Sequence, residues 1–319
     1  MKDIVVTIVC IAYNQEKYIS ETIESFLMQK TNFNYEILIQ DDASKDKTPE
    51  IIKKYEMQYP DIIRPVYQKE NQYSKGIQVL DFYLDIAKGK YIAVCEGDDY
   101  WTDPNKLQRQ VDYMEKNQDC SACVHAAIKV DARTKKKVGE VRPSEKSRDY
   151  TTEEIIMGGG GLFATNSILY NRKFSKRPDF YLNCYIGDFP LIIHFSICGR
   201  IHYMEAYMSA YRINVENSWS AIISKSCTAT RRMHMDRIEH MLKEVDDYTN
   251  KKYTEVINKK IKKNRFDLHV LCGDYKEVKS DIYKDLYKAL SLNIKLLLFI
   301  KQYCPNAIKL IKSIKRKNE

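Results

Sequence analysis

One stretch constrains the fold more than any other. Tyr91-Ile92-Ala93-Val94-Cys95 is an apolar run of strand length after Gly89, and Glu96, Gly97, Asp98 and Asp99 follow it directly. A strand with no polar face is buried on both sides, as in a sheet layered between helices. In open α/β sheets, ligands bind beyond the carboxyl ends of the strands, where these acids fall. Three carboxylates so close together repel one another unless a cation or a set of donors neutralises them. A hard divalent ion, Mg²⁺ or Mn²⁺, meets that need, since it is held by one or two carboxylates plus substrate phosphates. A solvated acidic turn is the plainer reading of the same residues.

The chain before and after this stretch alternates strand and helix. Ile4 to Ile11 is a β-branched run, and Asn14 behind it is placed to cap a helix. In that helix Ile19, Ile23, Phe26 and Leu27 form one apolar stripe. Tyr35 to Gln40 reads as a second strand, closed by the polar turn 41–48, in which Ser44 and Asp46 are capping residues. Pro49 then opens a helix at the position proline prefers. Ile62 to Tyr67 is a short strand and 77–88 a helix. Asp103-Pro104 caps a helix with Leu107, Val111 and Met114 on one face. This order predicts an α/β fold, a mostly parallel sheet flanked by helices. From Ser224 onward the apolar spacing is helical throughout.

Composition narrows the class. With 44% hydrophobic and 30% charged residues in 319, the chain is a soluble globular protein. Its net charge of +9 admits acidic partners. Much of the excess lies after about residue 250, in runs such as Lys259 to Lys263 and Lys312 to Lys317. The basicity therefore describes the tail, and nucleic acid is not an expected partner. Nine cysteines, an odd number scattered through apolar segments, suit a reduced, cytoplasmic protein. The CxxC of Cys120 and Cys123 lies in a strand-like run, where its two thiols face opposite sides. The N-terminus runs straight into a strand, without a signal peptide. The apolar stretch Leu292 to Ile300 is too short to span a bilayer.

The polar turns narrow the chemistry. The turn after the first strand lacks GxGxxG, which leaves a dinucleotide fold without support. It also lacks a glycine-rich basic loop, which weakens a sugar nucleotidyltransferase. Cys10-Ile11-Ala12-Tyr13-Asn14, then Asp41-Asp42-Ala43-Ser44-x-Asp46-x-Thr48, then Glu96-Gly97-Asp98-Asp99-Tyr100-Trp101 resemble, in order and spacing, the family 2 glycosyltransferases. The resemblance covers roughly the first 220 residues. It implies a GT-A fold and an inverting enzyme that uses nucleotide-diphosphate sugars, here a UDP-sugar. Ala12, Tyr13 and Asn14 would then lie at the nucleotide, and Asp41 or Asp42 would hold uracil or ribose. Asp98, with Glu96 and Asp99 and with Gly97 between them, would hold the divalent ion that bridges the diphosphate. Two positions depart from the family: Glu96 stands where Asp is commoner, and Ala43 where Gly is.

The second half supplies the acceptor side. Gly158 to Gly161 reads as a flexible loop running into a strand, and the resemblance sets it at the sugar and acceptor pocket. Asp188 precedes a helix containing Leu191, Ile192, Phe195 and Ile197. It is either that helix's N-cap or, by resemblance, the general base. After a strand from Ile201 to Ala210, Tyr211-Arg212-Ile213-Asn214 with Asn217 to Ser220 looks like the family segment that covers the diphosphate. Arg212 would meet phosphate oxygens or pair with a carboxylate as a strut. Asn214, in place of a histidine, would offer the metal a carbonyl oxygen.

These readings set the expectations. Residues 1–222 form a GT-A glycosyltransferase domain, with a nucleotide-sugar half (1–118) and an acceptor half (119–222), and 223–319 form a helical extension. The expected activity is metal-dependent transfer of one sugar to a glycan or lipid-linked acceptor in bacterial capsule, lipopolysaccharide or other surface-glycan synthesis. The expected location is the cytoplasm, peripheral at the inner face of the membrane. An anionic membrane surface, met by the basic C-terminus, and a second copy of the chain are further candidate partners. A non-catalytic membrane scaffold with a degenerate site is the rival from another class.

Overall fold

The computed structural model describes residues 3–76, 83, 85–184, 187–216, 218, 222 and 226–303. The first strand, β1 (Ile4–Ala12), is β-branched and buried almost throughout. Helix α1 (Ile19–Leu27) covers it with Ile19, Ile23 and Phe26, all fully buried. β2 (Asn34–Asp41), α2 (Thr48–Gln58) and β3 (Ile63–Tyr67) repeat the unit, with Pro49 in the first turn of α2 as predicted. β4 (Tyr91–Glu96) is the apolar strand before the acids. The short β5 (Tyr100–Trp101) and α3 (Lys106–Lys116) follow, and α3 turns Leu107, Val111 and Met114 into the core. The helix expected over 77–88 falls mostly outside the described residues.

The next elements are β6 (Cys120–Asp131), β7 (Lys137–Val141), β8 (Arg148–Tyr150), α4 (Thr152–Gly158) and β9 (Leu169–Asn171). Then come α5 (Asp179–Leu182), α6 (Asp188–Cys198) and β10 (Arg200–Ile213). All ten strands join one sheet in the order β3-β2-β1-β4-β9-β6-β10-β5, with β7 on β6 and β8 on β10. The four strands β3-β2-β1-β4 are parallel, as the βα alternation predicts. β9 enters antiparallel between β4 and β6, and β10 then runs parallel to β6. The sheet is therefore mixed, because the strict alternation that imposes parallel pairing ends at α3. Pro65 sits in β3, at the end of the strand order, where a residue without an N–H breaks no inner ladder.

The chain divides into two compact units, Met1–Ser224 and Lys225–Glu319. The second is helical: α7 (Thr228–Tyr248), α8 (Thr254–Cys272), α9 (Tyr275–Val278), α10 (Lys284–Ala289) and α11 (Leu292–Tyr303). Phe266, Tyr275, Val278, Tyr283 and Leu298 make a small core there. No helix among the described residues is long and apolar enough to cross a membrane.

Candidate active site

Parallel pairing brings three chain turns to one edge of the sheet. Ala12 at the end of β1 lies opposite Asp41 at the end of β2, and Ile11 lies opposite Glu96 at the end of β4. The β1–α1 and β2–α2 loops are fastened together. Asn14 N–H donates to Ser44 Oγ (2.9 Å) and Gln15 N–H to Thr48 Oγ1 (2.8 Å). Glu16 N–H donates to Asp46 Oδ2 (3.0 Å), and Lys45 N–H to Asn14 Oδ1 (2.8 Å). Asn14 is therefore not a helix cap: α1 begins at Ile19, after Tyr18. It holds φ +53° and Ala43 φ +62°, left-handed backbone that asparagine tolerates and glycine prefers. The glycine common at the Ala43 position has its physical reason here. Ala12 is buried beneath this loop pair, and Tyr13 is exposed.

The two aspartates after β2 differ. The Asp42 carboxylate accepts Gln72 N–H (2.8 Å) and Tyr73 N–H (3.1 Å), so it organises the following loop. The Asp41 carboxylate accepts Ser44 N–H (3.2 Å) at Oδ2. Its Oδ1 is buried and, among the described residues, without a partner. Burial, first of all, pushes the Asp41 carboxyl up, against the bonds from Ser44. Sequence reasoning left the pair open; the geometry leaves Asp41 available to a ligand.

In the acidic turn Gly97 N–H donates to Ile11 O (2.8 Å). A Cβ on Gly97 would meet Gln15 Oε1 at 2.2 Å and crowd Ala12 Cβ and Ile19 Cδ1 at 3.1 Å, so a side chain there would have to push the Gln15 amide aside. Glu96 is exposed, Asp98 half-buried and Asp99 buried. Asp99 faces inward: its Oδ1 accepts Arg212 N–H (2.7 Å) and its Oδ2 accepts Asn166 Nδ2 (3.0 Å). Asn166 is itself saturated, with Nδ2 also donating to Ala210 O and Oδ1 accepting from Ser209 Oγ. The Trp101 indole N–H donates to the Asn166 carbonyl. Asp99 thus clamps the turn to β10, which leaves Glu96 and Asp98 as the carboxylates facing outward. Among the described residues no three His, Cys, Asp or Glu side chains converge as a closed metal set.

Arg212 is 6% exposed. Its guanidinium donates to the Asp98 carbonyl and to Glu21 on α1, and lies against the rings of Tyr18 and Tyr100. Of the two roles read from sequence, the geometry matches the strut. Asn214 points elsewhere, its Nδ2 donating to Asp131 Oδ2 (2.7 Å) at the end of β6. Asn217, Trp219 and Ser220 lie outside the described residues. Glu21, Asn166 and Thr22, whose Oγ1 reaches the Asp99 carbonyl at 2.6 Å, escaped sequence reasoning. Their partners are distant in the chain, and no local pattern marks them.

Asp188 is the first residue of α6, with Gly187 at the cap position, so it is not the N-cap. Its Oδ1 accepts Phe189 N–H (2.7 Å). The glycine run is not a loop into a strand: Gly158 closes α4, and β9 starts only at Leu169, after a 3-10 turn over Thr165–Ser167. Gly160 stands beside Asp188, since a Cβ there would lie 3.5 Å from Asp188 Oδ1. The glycine places no side chain against that carboxylate.

The charges of these acids act together. Loss of hydration, then the charges of Asp98 and Asp188, push the Glu96 carboxyl up. Loss of hydration likewise raises Asp98, partly offset by its own backbone N–H and by Arg212. It raises Asp188 too, against the bonds from Phe189 N–H and the Thr165 side chain. Glu96, Asp98 and Asp188 thus act on one another as a group of acids; among the described residues the Arg212 guanidinium offsets Asp98 while donating to Glu21.

The family described as "Glycosyl transferase family 2" matches residues 7–177. An uncharacterized protein of Mycobacterium tuberculosis is 36% identical over 214 residues, 67% of this chain and 60% of its own. This chain thus matches less than two thirds of that relative's length. A UDP-Glc:α-D-GlcNAc-diphosphoundecaprenol β-1,3-glucosyltransferase of Escherichia coli is 40% identical over 111 residues, 34% of this chain and 41% of its own. Among solved structures, TarS 1–349 of S. aureus in complex with UDP-GlcNAc superposes with TM-score 0.57 at 16% identity, covering 76% of this chain and 67% of its own. A mannosyltransferase of Pyrobaculum calidifontis, in complex with GDP-Man and Mn²⁺, gives 0.54 at 16% identity, covering 94% and 81%. With more than half its length matched by the family's pattern and a GT-A fold around the acidic turn, the chain belongs to the family 2 glycosyltransferases.

Proposed function

We propose that this chain transfers one sugar from a UDP-sugar to a hydroxyl of a glycan or lipid-linked glycan, with inversion at the anomeric carbon. The observation that carries this reading is the Oδ1 of Asp41, buried and, among the described residues, without a hydrogen-bond partner, at the same sheet edge as the acidic turn. A buried carboxylate oxygen without a donor is costly, and a base imide N–H or a ribose hydroxyl supplies that donor. Exposed Tyr13, next in the chain to the Ala12 that pairs with Asp41, offers a ring to the base. The E. coli relative's UDP-glucose donor and polyprenyl-diphosphate acceptor support the donor and acceptor classes, and with them a role in surface-glycan synthesis.

Glu96 and Asp98 would hold a Mn²⁺ or Mg²⁺ ion. Two outward carboxylates with raised proton affinity fit a hard ion completed by phosphate oxygens and water, rather than an all-protein cage. When bound, such an ion neutralises charge on the diphosphate. Arg212 fixes the turn from behind through the Asp98 carbonyl, and Asp99 ties it to β10. Asp188, with no side chain set against it by Gly160, takes the proton of the acceptor hydroxyl as that oxygen attacks the anomeric carbon. No covalent intermediate on the chain is needed.

The test is UDP release from UDP-glucose and UDP-GlcNAc in Mn²⁺, with and without a polyprenyl-diphosphate-GlcNAc acceptor. Acceptor-dependent UDP release is expected. Pyrophosphate as the product would replace the reading with a nucleotidyltransferase. If no nucleotide sugar is turned over or raises the melting temperature, the site is degenerate and the scaffold reading stands.

A further inference from the structure

We infer, on the reading of Asp188 as the base, that Thr165 is its positioning residue: the hydroxyl holds the Asp188 carboxylate, and the turn that carries Thr165 fixes it relative to the acidic turn. Thr165 opens the 3-10 turn Thr165–Ser167, and its half-buried side chain donates to the Asp188 carboxylate. The backbone beneath that hydroxyl is bolted down. Asn166 and Ser167 are fully buried. Asn166 Nδ2 donates to Asp99 Oδ2 and to Ala210 O (both 3.0 Å), and its Oδ1 accepts Ser209 Oγ (2.7 Å). The Asn166 carbonyl accepts the Trp101 indole N–H (3.0 Å), and the Ser167 carbonyl accepts Gln110 Nε2 (2.9 Å). Ser167 Oγ closes the turn on Ala164 O (2.6 Å), and Val94 N–H of β4 donates to Ile168 O just after it (3.1 Å).

Two adjacent residues of one anchored turn therefore meet the two halves of the site. Asn166 grips Asp99, next in the chain to Asp98, and Thr165 grips Asp188. A stiff connection matters because displacement needs the acceptor oxygen, the anomeric carbon and the departing diphosphate aligned, and a misplacement of about 1 Å can cost about 10²-fold in rate. The hydroxyl has a second effect. Donation to a carboxylate favours its charged form, the form a base must have, and so opposes the burial that pushes the Asp188 carboxyl up. Phe189 N–H acts in the same sense at Oδ1 (2.7 Å). Gly160 brings no side chain to Asp188, and Glu96 at the end of β4 is the acid whose charge is felt between them. Valine has nearly the volume of threonine but donates no hydrogen bond, so the two effects separate from packing.

Full-length wild type, Thr165→Val, Thr165→Ser and Asp188→Asn are compared for melting temperature, donor KM and kcat across pH, with the UDP-sugars, Mn²⁺ and polyprenyl-diphosphate-GlcNAc acceptor named above. Thr165→Val should keep its melting temperature and donor KM and lose about tenfold to a hundredfold in kcat. The acid limb of its kcat profile should move to higher pH, because Asp188 without the hydroxyl takes up its proton sooner as pH falls. Thr165→Ser, which restores the hydroxyl, should recover most of the rate and the wild-type limb. Were the hydroxyl a packing group only, melting temperature, donor affinity and rate would fall together with the limb in place. That result overturns the inference, and so does a serine variant as impaired as the valine one. Asp188→Asn separates Thr165 from the base itself. An inactive Asp188→Asn beside a Thr165→Val with the wild-type rate and limb removes Thr165 alone. Wild-type transfer by Asp188→Asn, or no transfer by wild type, removes the base and its positioning residue together.

Discussion

Asp98 and Asp99 are chain neighbours, yet Asp99 has both carboxylate oxygens engaged by Arg212 N–H and Asn166 Nδ2, whereas the Asp98 carboxylate meets its own backbone N–H and feels the charge of Arg212. Asp99→Ala strands two buried donors and should cost about 2–4 kcal/mol in denaturant unfolding. Asp98→Ala removes a carboxylate that the fold does not use, and should stay within about 0.5 kcal/mol of wild type while weakening Mn²⁺-supported nucleotide binding. Equal destabilisation by both would cancel the division of labour. Ala43 offers a second check, because its φ of +62° is strained for a residue with a Cβ. Ala43→Gly should stabilise by about 0.5–1 kcal/mol, the left-handed penalty less the extra unfolded-state freedom of glycine. A loss of stability in the same unfolding experiment would mean the loop has another conformation.

Among elements, the strands and helices that carry an apolar period were legible, because burial is written locally in alternation or in a helical stripe. α1, α2, α3 and the parallel block β3-β2-β1-β4 came from such patterns. The antiparallel β9 was not legible: three residues carry no usable period, and its place depends on both β4 and β6. The loops show the same limit. Asn14 looked like a cap by local rule, but its partners Ser44 and Lys45 lie about thirty residues away. The acids of the site could be named from sequence; which of them face inward could not, since Asn166 and Arg212 decide it from afar. Arg212 gives an element-level prediction. Arg212→Lys keeps the charge but not the planar fork that bridges Glu21 and the Asp98 carbonyl between two rings. It should lower the melting temperature and nucleotide affinity together; loss of affinity with unchanged melting would instead place Arg212 on the phosphates.

At the scale of the molecule, the negative cluster couples stability to pH. Glu96 has a raised proton affinity in the fold, so the folded chain binds more protons there than the unfolded one. Its carboxylate therefore destabilises increasingly as pH climbs above the ordinary range near about 4.3. In metal-free buffer, the melting temperature of Glu96→Gln should gain on wild type between pH 5 and pH 8, and added Mn²⁺ should close the gap. A difference that shrinks as pH rises would mean that Glu96 is already neutralised by a group of the protein. The central claim, transfer with Asp188 as base, is tested most directly by Asp188→Asn, read by transfer rate, donor affinity and melting temperature on one preparation. Asparagine keeps the size of the side chain and an acceptor for Phe189 N–H, but takes no proton at neutral pH. Unchanged melting and donor affinity are expected, with transfer reduced by about 10² to 10⁴. A variant that transfers sugar at the wild-type rate would contradict it.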